Sequence, residues 1–273
     1  MRGYRLWVAC AVVALATVCW GQVATTPSAT SPTAPPSPSA APAASPTLAP
    51  PASGKVAVLT ISGNIDYGLH WSLKRRIKAA LDSGADVLLF ELDTYGGDLH
   101  AAFEIGDLIY DIKNDHEGRI RTVAYVHKKA FSAGALIALA CNDIVMRRGA
   151  TIGDCQPIMV NPQSHGIETA PEKIQTGVRA YMSKYAVGNG YPEALCLKMV
   201  DVDMEVVRVR AADGVVRYMT PQQFDEMKPD EKSGAEKTSV LGKGKLLTIS
   251  DDRAAEYGIS RATVTGLSEA VAR

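Results

Sequence analysis

From Lys55 onward, short apolar runs of strand-forming residues alternate with stretches whose apolar residues recur at helical spacing. This alternation confines the chain to an α/β design more sharply than any other feature. Lys55-Val-Ala-Val-Leu-Thr-Ile61 is the first such run, and Leu69, Leu73, Ile77, Ala80 and Leu81 follow it at helical spacing. Asp86 to Leu92 is a second strand, before a helix carrying Ala102, Ile105, Ile109 and Ile112. Arg121 to Val126 is a third and Asp143 to Met146 a fourth; between them, Ser132 to Cys141 is a short helix apolar on every side. Strands this apolar have both faces covered, and a helix without a polar face is buried. The spacing predicts another helix from Pro171, with Thr169 and Glu172 at capping-box separation. Its buried face is Ile174, Val178, Tyr181, Met182 and Tyr185. Further on, Glu205 to Tyr218 reads as a hairpin turning at Asp213-Gly214, and Asp230 to Lys245 as a polar, mobile loop. Leu246 to Ile249 and Asp251 to Tyr257 add a strand and a helix.

The N-terminal segment differs in kind. Arg2 and Arg5 precede an apolar run, Leu6 to Trp20, of 15 residues. A spanning helix needs about 20, so residues 1–24 read as a secretory signal or, if uncleaved, a membrane anchor. Cys19 and Gly21 suit the −3 and −1 positions of a cleavage site after Gly21. Residues 25–54 are almost wholly Ala, Pro, Ser and Thr and hold nine of the 15 prolines. Nothing there is bulky enough to bury, so the segment reads as an extended spacer or a disordered leader. Residues 55–273 form the folded domain. The 29 basic residues less Arg2 and Arg5 leave 27 against 29 acidic ones in it. That balance gives no electrostatic reason to expect nucleic acid as a partner.

Cys10 and Cys19 belong to the leader, leaving Cys141, Cys155 and Cys196. Three widely spaced cysteines are no disulfide framework, although one bridge between them stays open. His70, His100, His116, His127 and His165 have neither the i, i+4 spacing of a helical zinc site nor a nearby cysteine pair. The sequence therefore predicts neither a metal nor another cofactor.

Three segments carry chemistry. Asp93-Thr-Tyr-Gly-Gly-Asp98 follows a buried strand, and its paired glycines permit a turn whose backbone N–H groups point outward at a developing oxyanion. An ordinary strand-to-helix turn is the plainer alternative. Phe131-Ser-Ala-Gly-Ala135 opens the apolar helix. Ser132 there is either an N-cap or a nucleophile whose small neighbours leave its hydroxyl accessible. The third comprises Ile152-Gly-Asp-Cys-Gln-Pro157 and Ala170-Pro-Glu-Lys173. Lys173 falls in the first turn of its helix, where the macrodipole disfavours a second positive charge. Burial against Ile174 would act in the same direction, towards a usable general base. A solvated lysine is the alternative, and Lys128 and Lys129 are rivals for the role.

Asp93-Thr-Tyr-Gly-Gly97, Phe131-Ser-Ala-Gly-Ala135, Gly149-Ala-Thr-Ile-Gly153 and Ala170-Pro-Glu-Lys173 together resemble, in order and spacing, the motifs of the NfeD family. These are membrane-associated serine proteases of the ClpP class, related to signal peptide peptidase A. The resemblance implies an α/β, ClpP/crotonase-like fold of repeated β-β-α units with helices covering the sheets. It also implies homo-oligomers and a Ser–Lys dyad, with Ser132 the nucleophile, Lys173 the general base, and Gly97 and Ala133 the oxyanion donors. Gly96 and Tyr95 would contact substrate. The expected substrates are hydrophobic segments of membrane-associated proteins, notably stomatin-like partners, cleaved without ATP outside the cytoplasm. Tyr95 stands where the family turn usually has proline. Cys155 lies about where Clp peptidases carry a catalytic histidine, which argues against a Ser–His–Asp triad. The chain matches the shorter, protease-domain-only form of the family. Two other functions stay open: an inactive module that binds a membrane protein through the same groove, and a crotonase-like acyl-CoA enzyme.

Overall fold

The computed structural model describes residues 54–161 and 166–273, so the signal and spacer lie outside the described residues. The chain enters along β1 (Val56–Ile65), crosses α1 (Tyr67–Asp82) to β2 (Val87–Gly97), and crosses α2 (Leu99–Asp115) to β3 (Arg121–Phe131). The short α3 (Ala133–Ala140) then leads to β4 (Asp143–Arg147). These four strands are parallel neighbours in that order. Such a sheet must be covered on both faces, and the register shows how. Leu88, Phe90, Leu92, Ala124 and Val126 alternate onto the face that packs with α1, α2 and α3. Val87, Leu89, Val123 and Tyr125 point the other way.

Strand β3 serves two partners. Val123–Val126 pair with β4, whereas Lys129–Phe131 pair with β5 (Thr151–Gly153). The sheet therefore splits beside the last residues of β3. After β5 come a hairpin of β6 (Ile158–Val160) and β7 (Ile167–Thr169), then α4 (Glu172–Asn189) and α5 (Glu193–Lys198). Strands β8 (Val206–Arg210) and β9 (Val216–Met219) follow, with α6 (Pro221–Glu226), α7 (Pro229–Lys232) and β10 (Glu236–Leu241). Finally β11 (Thr248–Ser250) pairs antiparallel with β5, and α8 (Asp251–Glu256) leads to β12 (Ala262–Val264), parallel to β4. Helix α9 (Leu267–Ala272) brings Leu267 and Ala270 onto the second face of the sheet.

The predicted α/β architecture is present, with corrections in detail. Residues 236–241, expected in a mobile loop, form β10 and pair with β8 in a three-stranded antiparallel sheet with β9. Thr169 does not cap α4, because it ends β7; Pro171 takes the N-cap position and makes no side-chain bond there. Ile174 is 38% exposed, so the buried face of α4 begins at Val178. Helix α3 is buried along its whole length, as its composition requires. Leu136, Ile137 and Leu139 each contribute about 1.5–3 kcal/mol by leaving water.

Candidate active site

Ser132 joins β3 to α3 and has an unusual backbone conformation. It has φ 52° and ψ −121°, a region that only glycine enters freely. Such a conformation costs about 1–3 kcal/mol and survives only where its surroundings enforce it. Several groups do so. The Ser132 N–H is shared between the carbonyls of Gly153 (3.1 Å) and Asp154 (3.0 Å). Its own carbonyl accepts from Ala135 N–H (3.0 Å) and Leu136 N–H (3.2 Å), and from Cys155 Sγ at 3.5 Å. The backbone is clamped, while the hydroxyl makes no capping bond to α3. Of the two roles open to this serine, capping is thereby removed.

Two glycines make room for the elbow. Gly96 has φ +114°, and a Cβ there would lie 2.8 Å from Ser132 Cβ and 3.2 Å from its Oγ. A Cβ on Gly134 would lie 2.5 Å from Thr94 Cγ2, so the first turn of α3 rests directly on β2. Thr94 itself is buried and locks the turn: Gly96 N–H donates to its Oγ1 (2.9 Å), which donates to Gly63 O (2.6 Å). Asp98 N–H donates to Ile65 O at 2.7 Å. Successive N–H groups of an extended strand point to opposite edges, so the Gly97 N–H turns away from β1. Ala133 opens α3, where an N–H has no acceptor within its own helix.

The lysines divide clearly. Lys129 Nζ lies 3.1 Å from Asp93 Oδ1 and Lys128 Nζ 3.7 Å from Asp93 Oδ2. The bond to Asp93 holds the Lys129 ammonium above its ordinary pKa, and the same ammonium sits 4.2 Å from the centre of the Tyr95 ring. A lysine so held keeps its proton and is a poor base. Lys173 is exposed and, among the described residues, no hydrogen bond joins it to Ser132. The expected burial against Ile174 is not provided by this chain's own fold, since both side chains face solvent. Tyr95 is 75% exposed, its ring 6.1 Å from that of Phe131, at the rim beside Gly96. Cys155 is buried, and burial pushes its thiol pKa up, so it is a neutral donor to the Ser132 carbonyl. Sequence reasoning marked the Ile152–Pro157 segment but missed its part, which is to grip the Ser132 backbone. The structure thus assembles Tyr95, Gly96, Ser132 and the Gly153–Cys155 segment, while Lys173 is exposed and has no hydrogen bond to Ser132 among the described residues.

Comparison with known proteins bears on the family and the fold. The family model for the NfeD1b N-terminal domain matches residues 55–242. The chain is 31% identical over 216 residues to the membrane protein NfeD1b of Bacillus subtilis strain 168, covering 79% of this chain and 40% of that protein. It is 29% identical over 201 residues to the membrane-bound protease PH1510 of Pyrococcus horikoshii, covering 72% and 44%. It therefore spans under half the length of either relative. Among solved structures, a serine-to-alanine mutant of the 1510-N membrane-bound stomatin-specific protease superposes with TM-score 0.58 at 23% identity, covering 80% of this chain and 84% of that one. A lysine-to-alanine mutant of 1510-N in complex with a substrate peptide gives TM-score 0.57, also at 23% identity, with 80% and 79% covered. These likenesses show a shared, ClpP-like fold.

Proposed function

Because this chain belongs to the family of the NfeD1b N-terminal domain, we propose that it is an ATP-independent serine endopeptidase with a Ser132–Lys173 dyad. The observation that carries the reading is the left-handed backbone of Ser132 at a strand-to-helix turn, with its hydroxyl free of the helix. Strain held by distant parts of a fold marks positions where geometry serves chemistry, and nucleophilic serines commonly sit on such turns. The named relatives support it further: PH1510 is called a protease, and structures of 1510-N have been solved as serine-to-alanine and lysine-to-alanine mutants.

In this reading Ser132 Oγ attacks the scissile carbonyl and gives its proton to Lys173. The N–H groups of Gly97 and Ala133 take up the oxyanion. Collapse expels the amine, which recovers the proton from Lys173, and water then repeats the sequence on the acyl-enzyme. Lys173 must be neutral to act. Its exposure in the single chain means that substrate or a second copy of the chain has to cover it. The substrates proposed are hydrophobic segments of membrane-associated proteins, stomatin-like ones included. In support, Tyr95 stands exposed beside Gly96. Ile158, Val160 and Ile167 lie exposed on the hairpin between Asp154 and Lys173. Residues 1–24 would export or anchor the domain outside the cytoplasm, and residues 25–54 would link it to that leader.

The full chain, incubated with an unstructured apolar polypeptide and followed by mass spectrometry, should cleave it. Ser132→Ala and Lys173→Ala should not, and wild-type kcat/KM should rise from neutral to alkaline pH, as a mechanism that needs a neutral amine base requires. A flat profile sinks the dyad. Equal, absent cleavage by folded wild type and both variants would favour the module that only binds a partner.

A further inference from the structure

The outer face of α1 is at odds with the rest of this near-neutral domain. Its inner face, His70, Leu73 and Ile77, is already buried against the sheet. About a quarter turn round the helix from that face lie Tyr67, 50% exposed, and Trp71, 58% exposed, one turn apart, followed along the same stripe by Lys74 and Lys78. Arg75 flanks that stripe, also exposed, while Arg76 turns back to donate to Thr60 O. The Lys74 ammonium lies 5.7 Å from the centre of the Trp71 ring. Between Tyr67 and Leu81 the helix has four cations and no anion. The acids that bracket it are occupied: Asp66 caps the helix through Leu69 N–H, and Asp82 pairs with Lys78.

We infer that this face of α1 docks on an anionic lipid bilayer and turns the mouth of the Ser132 site toward the membrane. The side chains fit that occupant. Tyr and Trp have an apolar body and a polar tip, which suits the depth of the headgroups. Lysines one and two turns away lay their stems along the apolar layer and keep their charges among lipid phosphates. Among the described residues no helix is long and apolar enough to span a bilayer, so α1 would lie in the surface. The sequence before β1 adds a second argument. The apolar run Leu6–Trp20 is followed by the charge-free stretch Gln22–Gly54, which ends where β1 begins. About 30 residues of Pro-rich chain, at about 3.1 Å each, reach at most about 90 Å, so an anchored leader confines the domain near the bilayer. At that effective concentration a modest surface suffices. The orientation follows from β1: Ile65 is in register with Gly97, and α1 starts two residues later. The aromatic end of α1 thus lies at the same edge of the sheet as the Gly96–Gly97 turn. The inference depends on the leader being retained as an anchor, and not on Ser132 being catalytic.

Trp71 is its own reporter, because the other tryptophans are Trp7 and Trp20. Full-length protein carrying Trp7→Phe and Trp20→Phe is mixed with vesicles of phosphatidylcholine and phosphatidylglycerol, with brominated lipid as quencher. Trp71 emission should shift to the blue and be strongly quenched. Adding Lys74→Glu, Arg75→Glu and Lys78→Glu, with the fold checked by circular dichroism, should cut the quenching several-fold, as should high salt. Ser132→Ala should quench like its parent, so loss of cleavage with quenching intact would affect only the proposed function. The docking surface is overturned if the protein floats with vesicles while Trp71 keeps a water-exposed spectrum. It is equally overturned if apolar peptide without lipid produces the shift and vesicles do not, which would make the face a protein-binding one.

Discussion

Ser132 depends on residues far from it in sequence, and that dependence can be measured. Gly96→Ala places a methyl group 2.8 Å from Ser132 Cβ at a φ of +114°. The substitution should cost about 1–3 kcal/mol in a denaturant melt and remove most of the proposed peptidase activity. A variant as stable and as active as its parent would show that the turn does not constrain the elbow. The motifs that meet at this turn were legible from the local sequence, but the conformation of Ser132 was not. Capping or nucleophile could not be decided for Ser132 from Phe131-Ser-Ala-Gly-Ala135, because the deciding groups are the Gly153 and Asp154 carbonyls, more than a strand away. Lys129 shows the same limit. Only its ion pair with Asp93 separates it from Lys173 as a rival base.

At the level of elements, periodicity revealed those that bury a regular apolar face and missed those that do not. Helices α1, α2 and α4 follow their spacing, whereas β10 is polar and mostly exposed, an edge strand that reads as a loop. Strands β6 and β7 have three residues each and are exposed throughout, so no alternation is available to betray them. Thr169 and Glu172 had the right spacing for a capping box, but hairpin pairing claimed the threonine first. One junction hid a buried cation. Lys198, at the end of α5, is fully buried, and its Nζ donates to the carbonyls of Asp201, Val202 and Met204. Its own carbonyl accepts from Leu247 N–H, while the Leu247 carbonyl receives Asp154 N–H. Lys198→Met leaves those carbonyls unpaired and should destabilise the chain by about 1–3 kcal/mol in urea. A neutral result would mean that water replaces the ammonium at no cost.

For the molecule as a whole, the buried acids set its response to alkali. Burial raises the pKa of Cys141, Cys155 and Cys196, and of Tyr125, Tyr181, Tyr185, Tyr191 and Tyr218. Each holds its proton in the folded chain after the unfolded chain has lost it. Their stabilising effect is therefore complete below the ordinary thiol value of 9.0 and drains away as pH climbs beyond it. Lys113 and Lys198, whose burial lowers them from 10.5, act in the opposite sense up to that pH. Eight acids outweigh two lysines, so the urea midpoint should hold steady to about pH 9 and fall above it. A midpoint that rises towards pH 10.5 would contradict that balance. The clamp on Ser132 has one more consequence. The stretch that begins by gripping the serine backbone at Gly153 and Asp154 runs through the exposed hairpin and ends at Lys173. A single ribbon of chain thus carries both the clamp on Ser132 and the other member of the proposed dyad, so whatever binds the exposed hairpin takes hold of the segment that joins them.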